Sequence, residues 1–433
     1  MHPVTRQEIL ALALPSMAAA VLNNGYRVLG QYAVQDLGVA AQAAVGSSVY
    51  VLITLYALFA LIHAGVGPLV ARATGMGDLD LRRRVIGAAL LGALGLALAA
   101  GGALYVGAPW VASALGLSGE TAACTVTYLR GVALVAPALA LEPVIDGALI
   151  AMGRGKTALL LQGVAVGLNA ALNPSLIAAF GVGGAAAATG VGRAVAVAGG
   201  LYALRALTSV GPSDLRLDPS LQRVARVGLP ITLNTLAYAI VYWALLRVAV
   251  SPLGPATNAA LGVGFSALEG LSWPMFLGLS VGLASVVGRR LGAGQPEEAA
   301  RALRLSAPYC TAAGVASGLA FYFLARPLCA LFTHDPEVLE AAIVYAQVLA
   351  FSQVFVAWEA MFEGVLEGAG DTRTLLLWSA PLNVLRVPLG YALAFPLGWG
   401  AAGVWWAINL TTWLKVLGKG LAVRRGRWRD VAI

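Results

Sequence analysis

The sequence predicts an all-α integral membrane protein of about twelve transmembrane helices in two six-helix lobes. Of its 433 residues, 59% are hydrophobic and only 11% are charged, whereas soluble domains carry about 25% charged residues. Apolar stretches of about 20 residues, long enough to cross a ~30 Å hydrocarbon core, recur between Gln7 and Leu421. The two halves of the chain also repeat the same motifs. Together these observations favour a duplicated membrane bundle.

The apolar stretches indicate where the twelve predicted helices lie in the sequence. We place them near residues 8–33, 45–70, 85–106, 123–152, 158–180, 185–204, 229–251, 259–287, 305–325, 339–368, 374–396 and 402–422. Basic residues gather in alternate connections, such as 72–84 and 289–304. By the positive-inside rule both termini are then cytoplasmic. The sequence thus predicts a multi-pass membrane protein.

The halves of the chain repeat at an offset of about 217 residues. "RATGMGDLDLRRR" corresponds to "RRLGAGQPEEAAR", and "GALIAMGRGKT" corresponds to "GVLEGAGDTRT". An even number of helices per repeat gives both halves one orientation, so we expect a pseudo-two-fold axis along the membrane normal and a central cleft. The predicted domains are an N-lobe at 1–206, a cytoplasmic connecting segment at 207–228, and a C-lobe with a basic tail at 229–433.

Motifs spread over nearly the whole chain carry a family resemblance. They include "LALPSM", "GLNAALNPSLIAAFGVGGAAAAT", "VGLPITL", "GVGFSALEGLSW", "GVLEGAGDTRT" and "LRVPLGYALAFPLGWGAAGVWWA". In the order of these motifs and in their repetition in both halves, the chain resembles the multidrug and toxic compound extrusion (MATE) antiporters. The resemblance implies a rocker-switch antiporter of a bacterial-type inner (plasma) membrane, which exports small organic, often cationic, compounds in exchange for protons or sodium ions. We expect a monomer among membrane lipids, with no cofactor and no nucleic-acid partner.

The first half departs from the family pattern at its usual cation site. Gly30 stands where the family commonly has an aspartate, and Asn173 in "NAALNP" replaces a second one. Asn169 and Thr189 still match the polar partners of that site. Arg27, one helical turn before Gly30, adds a cation that needs a counter-charge. We predict that Arg27 pairs with an acid of the fourth helix, with Asp146 or Glu142 as the partner.

Ionisable side chains inside the bilayer cost about 2.5–3.5 kcal/mol each by insertion scales and usually have a function or a partner. Glu142 and Asp146 lie four residues apart and share one helix face, and Glu359 and Glu363 are their counterparts in the second half. Glu269 stands alone in the eighth predicted helix. These five acids are candidates for cation coupling, and we expect Glu269 and Glu359 to carry the proton.

Simple charge pairing is the alternative for the same acids. They could neutralise the intramembrane cations Arg27, Arg193 and Arg386. For Glu367 and Asp371, near the cytoplasmic helix ends, we favour this alternative.

Aromatic side chains are concentrated in the second half of the chain. An exposed aromatic face attracts an organic cation, which makes six residues candidates for the substrate cleft: Tyr238, Tyr242, Trp243, Trp273, Trp358 and Trp378. The alternative is ordinary packing or an interfacial belt. A belt or a lipid-facing position suits four others better: Trp399, Trp405, Trp406 and Trp428.

Enzyme chemistry has no recognisable site in the sequence. There is no HExxH motif and no cluster of histidine and cysteine, so we predict neither an enzyme nor a metal site. Two other functions stay open. A flippase for a lipid-linked saccharide would need a basic cleft for a diphosphate, which Arg27, Arg193 and Arg386 permit. A non-transporting scaffold would not need matched buried carboxylates, which argue against it.

Overall fold

The computed structural model describes residues 3–33, 37, 39–216 and 218–432, and within these ranges it leaves out the side chains of 25–33, 39, 50, 212, 265–267 and 271. The described chain is almost entirely helical and contains no strand. The helices are α1 Arg6–Ala33, α2 Val39–Met76, α3 Leu79–Ala114, α4 Gly119–Ala151, α5 Gly155–Phe180, α6 Val182–Thr208, α7 Pro219–Leu245, α8 Pro255–Val263, α9 Gly270–Gly292, α10 Pro296–Phe323, α11 Ala325–Ala330, α12 Pro336–Ala350, α13 Gln353–Ala369, α14 Thr372–Ala394 and α15 Gly400–Arg424. Each of the twelve predicted spans falls on one helix or on a run of consecutive helices. The prediction of an all-α membrane protein is confirmed.

Three of the predicted spans are interrupted rather than straight. A π-helical turn at Leu246–Val250 follows α7, and a second at Gly264–Glu269 joins α8 to α9. Helices α12 and α13 are bent by 57° at the break between them. By length and composition alone, seven of the described helices are apolar enough to cross a membrane, or eight if the bent pair counts as one span.

The chain forms two compact units by its internal contacts. Unit N comprises Ala18–Leu229, and unit C comprises Met1–Met17 together with Pro230–Ala432. Helix α1 therefore contributes its first residues to unit C and its later residues to unit N. The lobe boundaries at 206 and 229 stay a prediction, since they follow chain connections rather than contacts.

Small residues allow close helix packing in both units, as is common in membrane bundles. In unit N, a Cβ on Gly184 would lie 2.0 Å from the carbonyl oxygen of Leu176. In unit C, a Cβ on Gly368 would lie 2.3 Å from the carbonyl oxygen of Ala284. The second contact packs α13 closely against α9. It thereby positions α13, the helix that carries Glu359 and Glu363.

The repeated motifs adopt the same local conformation. Gly77 and Gly294 have φ values of 73° and 70°, and Gly153 and Gly370 have 82° and 79°. This left-handed conformation favours glycine. The backbone amide of the residue that follows each of these glycines donates to a carbonyl in the last turn of the preceding helix. The Arg154 amide, for example, donates to the Leu149 carbonyl at 2.8 Å. The helix ends of the repeat thus depend on matched glycines.

Candidate functional site

Glu142 of α4 forms a buried ion pair with Arg193 of α6 in unit N. The two residues are 3% and 5% exposed. The Arg193 Nη2 also donates to the Asn23 Oδ1 at 3.3 Å. A buried carboxylate with a hydrogen-bonded cation is electrostatically balanced, and removal of either partner would leave an uncompensated charge.

Asp146 lies one turn beyond Glu142 and contacts a neutral side chain. With its amide nitrogen turned toward the acids, Gln162 donates to the Asp146 Oδ2 at 3.3 Å and to the Glu142 Oε1 at 3.2 Å. This orientation follows from chemistry, because ionised carboxylate oxygens can only accept. Gln162 therefore links the two acids of α4.

The predicted polar residues of the N-lobe site come together in unit N. The Asn169 Nδ2 donates to the Thr189 Oγ1 at 3.1 Å, and the Asn173 Nδ2 donates to the Asn169 Oδ1 at 3.2 Å. The buried Asn173 Oδ1 has no hydrogen-bond partner in the described part of the chain. All three side chains are neutral, so they offer oxygen atoms but no charge to a cation.

The side chain of Arg27 lies outside the described ones, so the predicted pairing of Arg27 stays a prediction. Among the residues that are described, no group of three or more histidine, cysteine, aspartate or glutamate side chains is arranged to hold a metal ion.

Glu359 and Glu363 of α13 meet two lysines of α15 in unit C. The Lys415 Nζ lies 2.8 Å from the Glu359 Oε1, and the Lys419 Nζ lies 2.7 Å from the same atom. Lys419 also contacts the Glu363 Oε1 at 2.6 Å, and its side chain is fully buried. The predicted coupling acids of this helix are thus held in a four-membered charge network.

Sequence reasoning overlooked both lysines. The sequence does contain a pattern that could have indicated them. Lys415 and Lys419 are four residues apart in "KVLGK", which is the same spacing as that of Glu359 and Glu363. Two acids on one helix face and two bases on another can form neighbouring pairs when the helices pack together.

Glu269 has a different environment from the other candidate acids. It ends the π-helical turn between α8 and α9, and the Tyr345 hydroxyl donates to its Oε1 at 2.6 Å. Tyr345 is fully buried and packs edge-on against Trp405, with 4.8 Å between ring centroids. Within the described side chains, no lysine, arginine or histidine nitrogen lies within 4.0 Å of this carboxylate.

Arg386 of α14 is buried among hydroxyl groups. Its Nε donates to the Thr411 Oγ1 at 3.1 Å, its Nη1 to the Tyr242 hydroxyl at 3.0 Å, and its Nη2 to the Thr412 Oγ1 at 3.4 Å. Its guanidinium carbon also lies 5.4 Å from the centroid of the Tyr242 ring. The residue is 2% exposed.

The aromatic candidates fall into two groups. Tyr238 and Tyr242 pack together with 4.5 Å between ring centroids, and Arg247 lies over the exposed Trp243 at 5.9 Å. The other three candidates are tryptophans with different surroundings. The Trp358 Nε1 donates to the Thr311 Oγ1 at 2.9 Å, Trp378 packs closely on Gly418, and Trp273 is 46% exposed.

Two tryptophans differ from the belt or lipid-facing position expected of them. Trp405 is fully buried and Trp428 is 1% exposed. Trp405 packs on Tyr345, and the Trp428 Nε1 donates to the Val423 carbonyl at 2.9 Å. The prediction was wrong for this pair, because each indole fills the core of unit C and neither lies at its surface.

Comparison with known proteins identifies the family. The MatE family profile matches residues 15–175 and 230–392. The probable multidrug resistance protein NorM of Thermotoga maritima is 23% identical over all of this chain and 95% of its own length. The multidrug export protein MepA of Staphylococcus aureus is 23% identical over 96% and 92%, and the FAD transporter of Shewanella oneidensis is 27% identical over 79% and 77%.

Solved structures share the fold. A MOP superfamily transporter from Pyrococcus furiosus, described as having a binding pocket of reverse polarity, matches with a TM-score of 0.90 at 22% identity, over 99% of this chain and 97% of that one. The Vibrio cholerae MATE transporter VcmN in its bent form matches with a TM-score of 0.88 at 19% identity, over 98% of both chains. With the family match over most of its length, the chain belongs to the MatE family of multidrug and toxic compound extrusion transporters, and it is a membrane transporter rather than an enzyme.

Proposed function

We propose that this transporter is a proton-coupled antiporter that exports organic compounds, often cationic, by alternating access. The observation that carries the proposal is the Glu269 carboxylate, which accepts from the Tyr345 hydroxyl at 2.6 Å and has no cationic nitrogen within 4.0 Å among the described side chains. Glu269 is therefore the main proton carrier in this proposal. The chain works as a monomer in a bacterial-type inner membrane, with both termini cytoplasmic.

Ion exchange requires a group whose charge changes between states. Protonation of Glu359 would disrupt contacts to two lysines, and protonation of Glu142 would disrupt its pair with Arg193. Protonation of Glu269 breaks no such pair, and the Tyr345 hydroxyl can rotate to accept as well as donate. This difference supports Glu269 as the carrier and gives Glu359 a supporting role.

Sodium coupling has weaker support. A sodium ion prefers several converging oxygens with a compensating negative charge, as hard cations generally do. Asn169, Asn173 and Thr189 provide oxygens but no charge. A proton needs only one carboxylate, which favours proton coupling.

Transport in proteoliposomes tests the proposal. A pH gradient is imposed, a pH-sensitive dye is trapped inside, and either ethidium or 1-naphthyl phosphate is added as cargo. We expect Glu269→Gln to abolish cargo-dependent proton movement, while Glu340→Gln, which removes half of an exposed ion pair with Arg326, leaves it unchanged. Undiminished exchange in Glu269→Gln, in Glu359→Gln and in the double variant would refute proton coupling through these acids, as would dependence on sodium alone.

Orientation is tested separately by cysteine labelling. The basic connections 72–84 and 289–304 face the cytoplasm in this proposal. Single cysteines placed there, in a chain whose Cys124, Cys310 and Cys329 are replaced, should react in intact cells only with a membrane-permeant reagent. Reaction with an impermeant reagent would reverse the assigned topology.

A lipid-linked saccharide flippase is the second candidate. Its support is the buried cation Arg386, whose hydrogen-bond acceptors are all hydroxyl groups. Proton-coupled exchange of a water-soluble cargo would favour the antiporter, whereas transfer of a fluorescent diphosphate lipid between leaflets without such exchange would favour the flippase.

A further inference from the structure

Arg386 is a buried cation that lacks a direct counter-charge. In the described part of unit C, no carboxylate oxygen lies within 4.0 Å of its guanidinium nitrogens, and its three acceptors are the hydroxyls of Tyr242, Thr411 and Thr412. Buried charges in proteins are normally paired. Arg193, equally buried, follows that rule through Glu142. Arg386 therefore has a charge that the described protein groups do not neutralise by contact.

Some N–H donors of this guanidinium also lack a hydrogen-bond acceptor among the described residues. A guanidinium has five N–H groups in a rigid fork. Three of them donate to the hydroxyls named above, which leaves two without an acceptor among the described residues. The longest of the three contacts, 3.4 Å to Thr412, is also the easiest to exchange. The fork matches the paired oxygens of a carboxylate or a phosphate.

Nearby acids are engaged elsewhere. Glu269 and Glu359 are close enough to interact electrostatically with Arg386. Glu359 is bound by Lys415 and Lys419, and Glu269 accepts from Tyr345. Neither acid contacts the guanidinium, so neither fills its two remaining donors.

The aromatic groups expected to attract a cationic cargo already have protein cations beside them. Arg386 lies 5.4 Å from the Tyr242 centroid, and Arg247 lies 5.9 Å from the Trp243 centroid. A second cation near either ring would meet like-charge repulsion, whereas an anion would not. Tyr238, which packs on Tyr242, is 38% exposed. Tyr238 and Tyr242 thus connect the buried guanidinium with the surface of unit C.

We propose that Arg386 binds an anionic group, a carboxylate or a phosphate, carried by the transported organic compound. The proposal rests on the proposed transport of organic compounds and adds a charge class for the cargo. The anion accepts the two remaining N–H donors and takes the place of the weak contact to Thr412, while the aromatic pair Tyr238 and Tyr242 packs against the organic part.

Binding to the purified full chain tests this assignment without any ion gradient, so a failure of proton coupling does not affect the result. Calorimetry in phosphatidylcholine nanodiscs compares 1-naphthyl phosphate with the matched cation 1-naphthylmethylammonium. We expect Arg386→Gln to weaken binding of the anion by ~10- to 100-fold, the range for a charged hydrogen bond. Binding of the cation should stay the same or become tighter, because the substitution removes a like charge beside Tyr242. Arg386→Lys keeps the charge but not the fork and should be intermediate. Arg326→Gln, at an exposed arginine, serves as the control.

Three results would overturn the assignment. They are equal anion affinity in wild type and Arg386→Gln, no anion binding by the wild type, and a loss of cation affinity that matches the loss of anion affinity. If Arg386→Gln does not fold, unchanged anion affinity in Arg386→Lys has the same meaning. Phosphatidylglycerol in the nanodiscs separates the sources of the anion: Arg386-dependent competition supports a lipid phosphate, and its absence supports a free cargo.

Discussion

Two matched acid pairs, Glu142 with Asp146 in unit N and Glu359 with Glu363 in unit C, have different partners. In unit N, one arginine and one glutamine from neighbouring helices serve the pair. In unit C, two lysines of a single helix serve the pair.

The acids are thus repeated in the two halves, whereas the groups that compensate them are not. Arg193 lies on α6, the last helix of the first repeat, and the lysines lie on α15, the last helix of the second. The partner helix is therefore equivalent in the two halves, but the positions on it are not, since Arg193 aligns with Leu410.

Replacement of Arg193 should have the largest effect on stability. Arg193→Met leaves Glu142 buried without a cation partner in the described part of unit N. Breaking a buried pair from one side destabilises a protein by roughly 3–5 kcal/mol. We expect a loss of this size in denaturant unfolding in detergent, and partial recovery in the double variant Glu142→Gln with Arg193→Met. Equal stability of Arg193→Met and wild type would show that the pair is not needed for folding.

The two lysines of unit C should differ from each other. Lys419 contacts two carboxylates and is fully buried, whereas Lys415 contacts one and its side chain is 8% exposed. Lys415→Met leaves Glu359 with Lys419, so we expect a loss of about 1–3 kcal/mol, and a larger loss for Lys419→Met. Unfolding midpoints of the two variants side by side give the measurement. The reverse order would mean that the network is centred on Lys415.

These networks mark the limit of what the sequence predicts. Helix positions and the repeat follow from apolar length and from paired glycines, which are local features. The contact between Tyr345 and Glu269 joins residues that are 76 positions apart. Tyr345 lies in α12, whereas Glu269 ends the π-helical turn between α8 and α9. Neither residue has a local pattern that points to the other. The site acids and the cation Arg193 could therefore be found from sequence. Tyr345 of α12 and the two lysines of α15 could be recognised as partners only from the packing of those helices.

Substitutions at the matched glycines test whether the two halves of the chain, which share a backbone conformation there, also lose the same amount of stability. Gly153 and Gly370 have φ values of 82° and 79°, and an L-residue in this region costs about 1–2 kcal/mol. We expect Gly153→Ala and Gly370→Ala to lower the free energy of unfolding by similar amounts in that range. Gly95→Ala is the control, because it is helical and a Cβ there meets nothing within 4 Å, so it should be neutral or stabilising. Unequal losses would show that one half tolerates strain better.

The smallest predicted effect concerns the start of α10 in unit C, where the Val4 amide donates to the Glu298 Oε2 at 2.6 Å. This hydrogen bond lowers the pKa of Glu298 below its ordinary value of 4.5. A carboxyl group with a lowered pKa stabilises the fold above its ordinary pKa, and the stabilisation is lost as the pH falls through the lowered value. Wild type should therefore be slightly more stable than Glu298→Gln near pH 7, with the difference shrinking below about pH 4.5.

A donor-side variant shows whether this pH dependence arises from the Val4 amide. Val4→Pro removes the N–H group at a position that precedes α1. It should reduce the pH-dependent difference as Glu298→Gln does, and the double variant should show no further change in pH dependence, because both substitutions remove the same hydrogen bond. Replacing the buried Val4 side chain adds a loss of stability that does not depend on pH. Unfolding curves between about pH 3 and pH 7 supply the comparison. Additive reductions of the pH-dependent difference in the double variant would instead assign the pH dependence to the other side chains near Glu298, of which Arg301 at 3.6 Å is the nearest cation.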